Sequence, residues 1–260
     1  MVLSAGFTVT QYVYADTSPA AQAAALFRLQ TLNLKYSDQL PRSSWEGTFQ
    51  QFFPMDVRTV TSQQVLQLVQ SFPASRFLLV AGWPCEDLSA AGNGRGLAGS
   101  RSSAFFDAVR ILGCLQQLLS HPPAYFLENT YMLWGHTAKH VKEVDLPRIN
   151  TILGPGFTTD AARFGSGAYR LRMFWTNLQS AVHMNLALSQ WRRPPGLTVD
   201  RLLDPDRLPL QLARSRCQPL PNYPCNSDPS TVEALPTLVS FPASNNFREG
   251  KPGVGCGTAT

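Results

Sequence analysis

The stretch that most constrains this chain runs from residue 77 to residue 107. It opens with an apolar run at residues 77–81, which is typical of a strand buried on both faces of a sheet. The run delivers Cys85 just after its C-terminal end, where open α/β sheets place their chemistry. A glycine-rich loop follows, and a helical pattern begins near Ser103. The stretch therefore predicts a strand, a loop and a helix, with a cysteine at a functional edge.

The loop after this cysteine is basic as well as rich in glycine. Its glycines and arginines are Gly92, Gly94, Gly96, Gly99, Arg95 and Arg101. A cysteine followed by such a loop suits a nucleophile that acts on an anionic polymer. The other interpretation is a buried cysteine ahead of a surface loop, because free cysteine packs well as a small hydrophobe. The stretch alone leaves both open.

Length and composition bound the class of protein. A chain of 260 residues suits one large domain, or one domain with a small appendage. Its hydrophobic fraction of 44% is enough for a core and too high for a disordered chain. No apolar run reaches the roughly 18 residues of a membrane helix, and a secretory signal and a membrane partner are not expected. The net charge of +5 mildly favours an anionic partner.

The cysteines and histidines do not predict a structural framework. Five cysteines are an odd number without a CxxC pair, and the histidines show no ligand-like spacing. A disulfide scaffold and a zinc site are therefore not expected, and no metal is assigned. A reduced, intracellular chain is the simplest interpretation.

Two aspartates are candidates for binding a cofactor. Residues 7–16 alternate well enough to predict a strand that ends at Asp16, and a Thr-Ser-Pro start predicts a helix from there to about Tyr36. An acid at a strand end can accept hydrogen bonds from both ribose hydroxyls of a nucleotide-like cofactor, although a solvated cap aspartate is the alternative. Asp56 precedes a predicted helix at residues 62–72 and, taken alone, is a turn aspartate.

The chain after the central stretch continues to alternate helix and strand. A helix is predicted at residues 103–119 and a buried strand at residues 124–127, which ends at Glu128. Cys85 and Glu128 would then lie at the same edge of one sheet. The sequence further predicts a helix over 138–153 with Pro147 inside it, a weak strand at 157–160 and a strand over 169–177.

Arginines mark the last part of the chain. Arg170 and Arg172 alternate on the last predicted strand, where they are either a surface ladder or catalytic arginines beside the carboxylate. From residue 179 onward, prolines and arginines crowd together without periodicity. That region is either an irregular appendage or a surface that meets nucleic-acid phosphates through arginine.

The order of these segments and their sequence motifs resemble those of the cytosine-C5 DNA methyltransferases. Residues 84–89, Pro-Cys-Glu-Asp-Leu-Ser, are similar to the Pro-Cys-Asn-Asp-Leu-Ser of the de novo-type enzymes of animals. Residues 55–61 resemble their Gly-Asp-Val-Arg-Ser-Val-Thr, and residues 170–177 their Arg-x-Arg-Tyr-Phe-Trp-Gly-Asn. Glu-Asn-Thr at 128–130 resembles the family's Glu-Asn-Val. The chain departs from the pattern at Trp83, where a small residue is usual, and at Glu86, where an amide is usual.

The resemblance implies a role for each candidate residue. Cys85 would add as a thiolate to C6 of a flipped cytosine, and Glu128 would hold the N3 edge of the base. Arg172, with its neighbour Arg170, would fix the base and the carboxylate. S-adenosyl-L-methionine would be bound by Asp16, Asp56, Val57 and Pro84, and nucleic acid by Ser89, Arg95, Arg101 and Asn129.

The fold that the resemblance implies is α/β, a Rossmann-like S-adenosylmethionine-dependent methyltransferase sheet with helices on both faces. Residues 1–178 would form the cofactor-binding and catalytic domain, and residues 179–260 a target-recognition region with a flexible tail. The family's Phe-x-Gly-x-Gly loop and closing motif have no counterpart here. A chain truncated at both ends, without the first strand, is therefore expected.

The function that the resemblance implies is DNA cytosine-C5 methylation, with double-stranded DNA as the partner and a homologous methyltransferase subunit as a further candidate. The location would be the nucleus, or the cytoplasm if the chain is prokaryotic or viral. One alternative is an inactive relative that binds DNA or a partner methyltransferase. Another is a tRNA cytosine-C5 methyltransferase. A thiol hydrolase is disfavoured because no motif places a histidine to activate Cys85.

Overall fold

The computed structural model describes residues 2–46, 52–89, 92–164, 166, 168–191 and 235–236. Helices and strands alternate along much of this part of the chain. The helices are α1 (Pro19–Lys35), α2 (Ser62–Ser71), α3 (Ala104–Leu118), α4 (Leu146–Leu153) and α5 (Ala181–Gln190). The strands are β1 (Leu78–Gly82), β2 (Ala124–Thr130), β3 (Phe157–Asp160), β4 (Ala168–Tyr169), β5 (Leu171–Thr176) and β6 (Leu235–Pro236).

The main sheet of the described residues has four strands in the order β1-β2-β5-β3. Strands β3 and β5 are antiparallel, with Phe157 opposite Phe174 and Asp160 opposite Leu171. The two-residue strands β4 and β6 form a separate parallel pair. A mixed α/β fold is therefore confirmed.

The chain forms two compact units. The first contains residues 1–127 and 135–148, and the second contains residues 128–134 and 149–260. The predicted domain boundary after residue 178 stays a prediction, because most of the second predicted domain lies outside the described residues. Helix α5 replaces the start of the irregular segment that was predicted from residue 179.

Two hydrophobic clusters build the core of the first unit. One is formed by Leu3, Leu29, Leu40 and Trp45. The other is formed by Val60, Val65, Ile111 and Leu115, which bring α2 and α3 together. Burying each such aliphatic side chain contributes about 1.5–3 kcal/mol. Cys114 packs against the second cluster, as expected for a cysteine on the apolar face of a helix.

Local capping fixes the helix starts that the sequence predicts. The Ser18 hydroxyl accepts a hydrogen bond from the Ala21 N–H at 3.3 Å, directly ahead of the proline that begins α1. Helix α2 begins with a capping box between Thr61 and Gln64.

Residues 7–16 do not form the predicted strand, and that prediction is wrong. The segment lies outside the sheet, and two of its N–H groups bond to carbonyls that follow α1. The Val9 N–H donates to the Gln39 carbonyl at 2.6 Å, and the Tyr12 N–H donates to the Ser44 carbonyl at 2.8 Å. The alternating pattern therefore did not identify the partners of these N–H groups.

Strand β1 is present where predicted, but it is not buried on both faces. Leu78 is 40% exposed and Val80 is 66% exposed, whereas the residues between and around them are half-buried. The strand lies at one end of the four-stranded order, and its face that carries Leu78 and Val80 is exposed in the described part of the chain.

The predicted helix over residues 138–153 contains a wide turn. Residues Val141–Asp145 form a π-helix, and α4 follows directly from Leu146. Pro147 lacks an N–H and its ring clashes with the carbonyl four residues earlier in a regular helix, so the chain widens just before it. Among the described residues, no helix is long and apolar enough to cross a membrane.

Candidate active site

Cys85 lies in a tight turn three residues after β1. Its carbonyl accepts hydrogen bonds from the N–H groups of Leu88 at 2.9 Å and Ser89 at 2.7 Å. The cysteine is half-buried and reduced. The turn therefore fixes the backbone at the predicted nucleophile and leaves part of the residue accessible.

Asp87 joins this turn to the beginning of α3. Its carboxylate is buried, with 2% of the residue exposed, and its Oδ2 accepts from the N–H groups of Arg101 at 3.1 Å and Ser102 at 2.9 Å. The Ser102 hydroxyl in turn donates to the Pro84 carbonyl at 2.8 Å. The turn that carries Cys85 and the first turn of α3 are thus held together by a closed set of hydrogen bonds.

The pKa of Asp87 reflects this environment. Burial acts to raise the pKa, but hydrogen bonds from the Ser102 N–H, the Asn93 side chain and the Arg101 N–H outweigh it. The charge of Arg95 acts in the same direction as those bonds. The pKa of Asp87 is lowered, and the carboxylate is ionised at neutral pH.

The glycines of the loop after Cys85 allow close approaches between chain segments. A Cβ at Gly99 would overlap the Asp87 carboxylate, and one at Gly92 would overlap the Glu86 carbonyl. Gly96 has a φ of 67°, and a Cβ there would overlap the Asp145 carboxylate. Asp145 also accepts from the Leu97 N–H at 3.1 Å. These glycines therefore have a packing role in the structure.

The two arginines of the loop are exposed, as a phosphate contact would require. Arg101 is ion-paired with Glu86, with its Nε 2.7 Å from Glu86 Oε2. The backbone of Arg95 is tied to its own loop, because its N–H donates to Asn93 Oδ1 at 3.2 Å. Ser89 is half-buried. Their contacts with nucleic acid stay predictions.

The structure explains the large residue at position 83. Trp83 is buried and its ring lies 5.0 Å from that of Phe105 in α3. The indole therefore fills the space between the end of β1 and the helix that follows the loop. The departure from the family pattern at this position is a packing change.

The two acids assigned to the cofactor are both half-buried in the first unit. Asp16 Oδ1 accepts from the Ser18 N–H at 2.8 Å, and burial followed by the charge of Asp16 raises the pKa of Tyr14. Asp56 accepts from the Arg58 guanidinium at 2.7 Å and from the Arg58 N–H at 3.0 Å. The hydrogen bonds from Arg58 lower the pKa of Asp56.

The chemistry of these acids fits S-adenosyl-L-methionine. Ionised carboxylates accept hydrogen bonds from ribose hydroxyls and from an exocyclic amine. Asp16 and Asp56 would hold those groups, with Val57 beside the second acid and Pro84 beside Cys85. Pro84 is exposed and Val57 is half-buried.

The second unit contains the carboxylate and guanidinium that the sequence assigns to the base. Arg172 Nε lies 2.9 Å from Glu128 Oε1, and their side chains are 19% and 35% exposed. Glu128 lies in β2 and Arg172 in β5, which are neighbours in the sheet. The ion pair is partly shielded from water, so it fixes the orientation of the carboxylate more firmly than an exposed pair would.

The neighbours of this pair differ in their surroundings. Asn129 is 1% exposed, and its amide oxygen accepts from the Thr130 N–H at 2.7 Å, so its burial does not favour the predicted contact with nucleic acid. Arg170 is exposed between β4 and β5, and its N–H donates to Asp160 Oδ1 at 2.9 Å. Its catalytic role stays a prediction.

Two residues of this region escaped the sequence interpretation. Asp87 belongs to the motif at residues 84–89 that resembles the family, but it was given no role. Asp145 lies in a predicted helix that contains no recognised motif. The awkward position of Pro147 was the one signal near Asp145, since it indicates an irregular turn. In the described part of the chain, no group of three or more His, Cys, Asp or Glu side chains is arranged to hold a metal ion.

Comparison with known proteins identifies the class to which the chain belongs. A model of the family "C-5 cytosine-specific DNA methylase" matches residues 40–195, which is more than half of the chain. The matched range contains Asp56, Cys85, Glu128 and Arg172. The chain is therefore a member of the C-5 cytosine-specific DNA methylase family.

Its relatives include two bacterial type II methyltransferases. It is 25% identical to M.HgiCI of Herpetosiphon aurantiacus over 192 aligned residues. These residues cover 71% of this chain and 44% of that protein. It is 39% identical over 72 residues to M.NlaX of Neisseria lactamica, which covers 28% of this chain and 21% of that protein. The chain spans less than half the length of either relative.

Among solved structures, the Dnmt2 methyltransferase of S. pombe matches 98% of this chain and 70% of its own chain. The TM-score is 0.48 and the sequence identity is 14%.

Proposed function

We propose that this protein transfers a methyl group from S-adenosyl-L-methionine to C5 of a cytosine flipped out of duplex DNA, through a covalent adduct with Cys85. The observation that carries the proposal is the Glu128–Arg172 ion pair at 2.9 Å. It lies within the family match that also contains the half-buried Cys85. A nucleophile and an oriented carboxylate are the two groups that this reaction needs from the protein.

The cofactor supplies an electrophilic methyl group on a sulfonium. The Cys85 thiolate forms a bond to C6 of the base, which makes C5 nucleophilic. C5 would then accept the methyl group that bound S-adenosyl-L-methionine supplies. A base removes the C5 proton, the C6–S bond breaks, and the electron pair returns to the sulfur as thiolate.

Glu128 stabilises the charge that develops on the ring. Its carboxylate can accept hydrogen bonds from the exocyclic amine and from N3 when that nitrogen carries a proton. Arg172 holds Glu128 by a charge-assisted hydrogen bond, so the carboxylate does not need to reorient during the reaction. Arg95 and Arg101, which are exposed, would meet backbone phosphates.

Double-stranded DNA as the partner remains part of the proposal, as do the nuclear location and a homologous methyltransferase subunit. The wording of residues 84–89 and the relationship to type II methyltransferases support DNA over tRNA as the substrate.

Transfer of a labelled methyl group tests this proposal. The protein is incubated with S-adenosyl-L-methionine and either duplex DNA or tRNA, beside Glu128→Gln, Arg172→Lys and the exposed control Arg76→Gln. Label in DNA is expected for the parent and the control, with a loss of about 100-fold in the Glu128 variant and a smaller loss in the Arg172 variant. Label in tRNA alone would move the substrate to tRNA. No label in either, from a folded protein, would favour the inactive relative.

A further inference from the structure

Helix α3 carries an arginine that reaches the turn on which Asp56 lies. Arg110 Nη1 donates to the Val60 carbonyl at 2.6 Å, and its Nη2 donates to the Val57 carbonyl at 3.3 Å. The same Nη2 lies 3.1 Å from Asp107 Oδ1, one turn earlier on the helix. All of these residues belong to the first compact unit.

The turn itself is short and is closed by local hydrogen bonds. Residues Val57–Thr59 form a single 3-10 turn that Asp56 caps from its N-terminal side. The Val60 N–H closes it on the Val57 carbonyl at 3.3 Å. The Arg110 guanidinium donates a second hydrogen bond to the Val57 carbonyl and also bonds the Val60 carbonyl just beyond the turn. Val60 is buried and Val57 packs against the same cluster, so apolar contacts and the guanidinium together hold the turn against α3.

Charges of alternating sign connect the turn to α3. Asp56 pairs with Arg58 at 2.7 Å, and Asp107 pairs with Arg110 at 3.1 Å. The hydrogen bond and charge of Asp56 raise the pKa of Arg58, and the charge of Asp107 adds a smaller contribution. Asp107 therefore lies close enough to both arginines to orient the guanidinium of Arg110 toward the two carbonyls.

We infer that Arg110 is a positioning residue for the cofactor site, because it holds the 56–60 turn against α3 and thereby sets the place of the Asp56 carboxylate. The inference rests on the proposed function. Its consequence concerns α3 as a whole. Asp87 ties the start of this helix to the Cys85 turn, and Arg110 ties its middle to the turn that carries Asp56. One rigid element thus relates the nucleophile turn to the cofactor turn.

The test combines amide hydrogen exchange of the ligand-free protein with calorimetric binding of S-adenosyl-L-homocysteine. The variants are Arg110→Gln, Arg110→Lys and Asp107→Asn, and the control is Arg76→Gln, which removes an exposed arginine from the same unit. Faster exchange confined to the Thr59 and Val60 amides is expected in Arg110→Gln. Its dissociation constant should rise about tenfold, which corresponds to the loss of one charge-assisted hydrogen bond.

The lysine variant separates positioning from charge. Arg110→Lys keeps the charge but not the forked geometry, so an intermediate increase in the dissociation constant is expected. Asp107→Asn should show a smaller effect in the same direction, and the control should show none. If the glutamine variant does not fold, the lysine and asparagine variants still decide the question.

Several results would overturn the inference. An unchanged dissociation constant in all Arg110 and Asp107 variants would do so, as would faster exchange spread evenly over the first unit. If the unsubstituted protein does not bind S-adenosyl-L-homocysteine, the proposed function fails instead. The exchange data then decide whether Arg110 holds the turn. A local change supports that role, and no local change rejects it.

Discussion

At the residue scale, Glu86 changes the charge of the loop that follows Cys85. It stands where the resembling motif has an amide, and it pairs with Arg101 at 2.7 Å. Both side chains are more than half exposed, so the pair contributes only about 0–1 kcal/mol to stability. Its larger effect is on the charge that Arg101 can offer to a phosphate.

Replacing Glu86 by Gln should therefore strengthen DNA binding. The slope of log K against log salt should steepen by about 0.9, the value for one additional phosphate contact. Fluorescence anisotropy of a labelled duplex over a series of salt concentrations measures it. Glu143→Gln, which releases Lys139 from a similar exposed pair, is the control. An equal change in both variants would show that only net charge matters.

Asp87 makes the stability of the folded protein depend on pH in the acidic range. Its pKa in the folded protein is lowered below the value of about 3.9 for an unfolded aspartate. The ionised carboxylate therefore stabilises the fold at neutral pH, and this contribution is lost as the pH falls below about 4 and through the folded pKa.

Asp87→Asn should lower the free energy of unfolding at pH 7 by about 1–3 kcal/mol, because the buried Ser102 N–H and the part-buried Arg101 N–H lose a charged acceptor. The same variant should lose less additional stability than the parent between pH 4 and pH 2. Urea unfolding at several pH values measures both effects. Asp38→Asn, on an exposed loop, should change the free energy by less than about 0.5 kcal/mol. A variant with the parent's acid dependence would contradict the role given to Asp87.

At the element scale, the loop after Cys85 is attached to the π-helix at Val141–Asp145 through Gly96. Gly96→Ala should destabilise the protein by more than about 1 kcal/mol, because its φ is positive and the added methyl would meet the Asp145 carboxylate. Gly113→Ala, in the middle of α3 with open space around its Cα, should instead stabilise by about 0.5–1 kcal/mol. Thermal unfolding of both variants measures whether each substitution destabilises or stabilises the protein. Equal effects would contradict the close approach at Gly96.

The elements also indicate what could be predicted from the sequence. Helices α1 and α2 begin where predicted because their caps are local, at Ser18 and Thr61. Residues 7–16 were predicted wrongly because alternation reports an extended chain and not the partner of its N–H groups. Strand β1 was placed correctly, but its burial depends on what packs against its two faces, and a single segment does not contain that information.

At the scale of the whole molecule, the residues proposed to act in catalysis belong to two different units. Cys85 belongs to the first unit, and the Glu128–Arg172 pair belongs to the second. The sequence identified these three residues because each lies within a distinctive sequence motif. Asp145 and Arg110 do not lie within such a motif. Their roles depend on contacts with residues 48 and 50 positions away along the chain, at Leu97 and Val60.

Covalent trapping on duplex DNA that contains 5-fluorocytosine, with S-adenosyl-L-methionine present, tests the proposed methyl transfer through Cys85. Fluorine at C5 blocks the final elimination, so a working enzyme remains attached to the base through the C6–S bond. The account predicts an adduct stable to denaturing electrophoresis in the parent protein and none in Cys85→Ala. An adduct that persists in Cys85→Ala, or none in a folded parent protein, would contradict it.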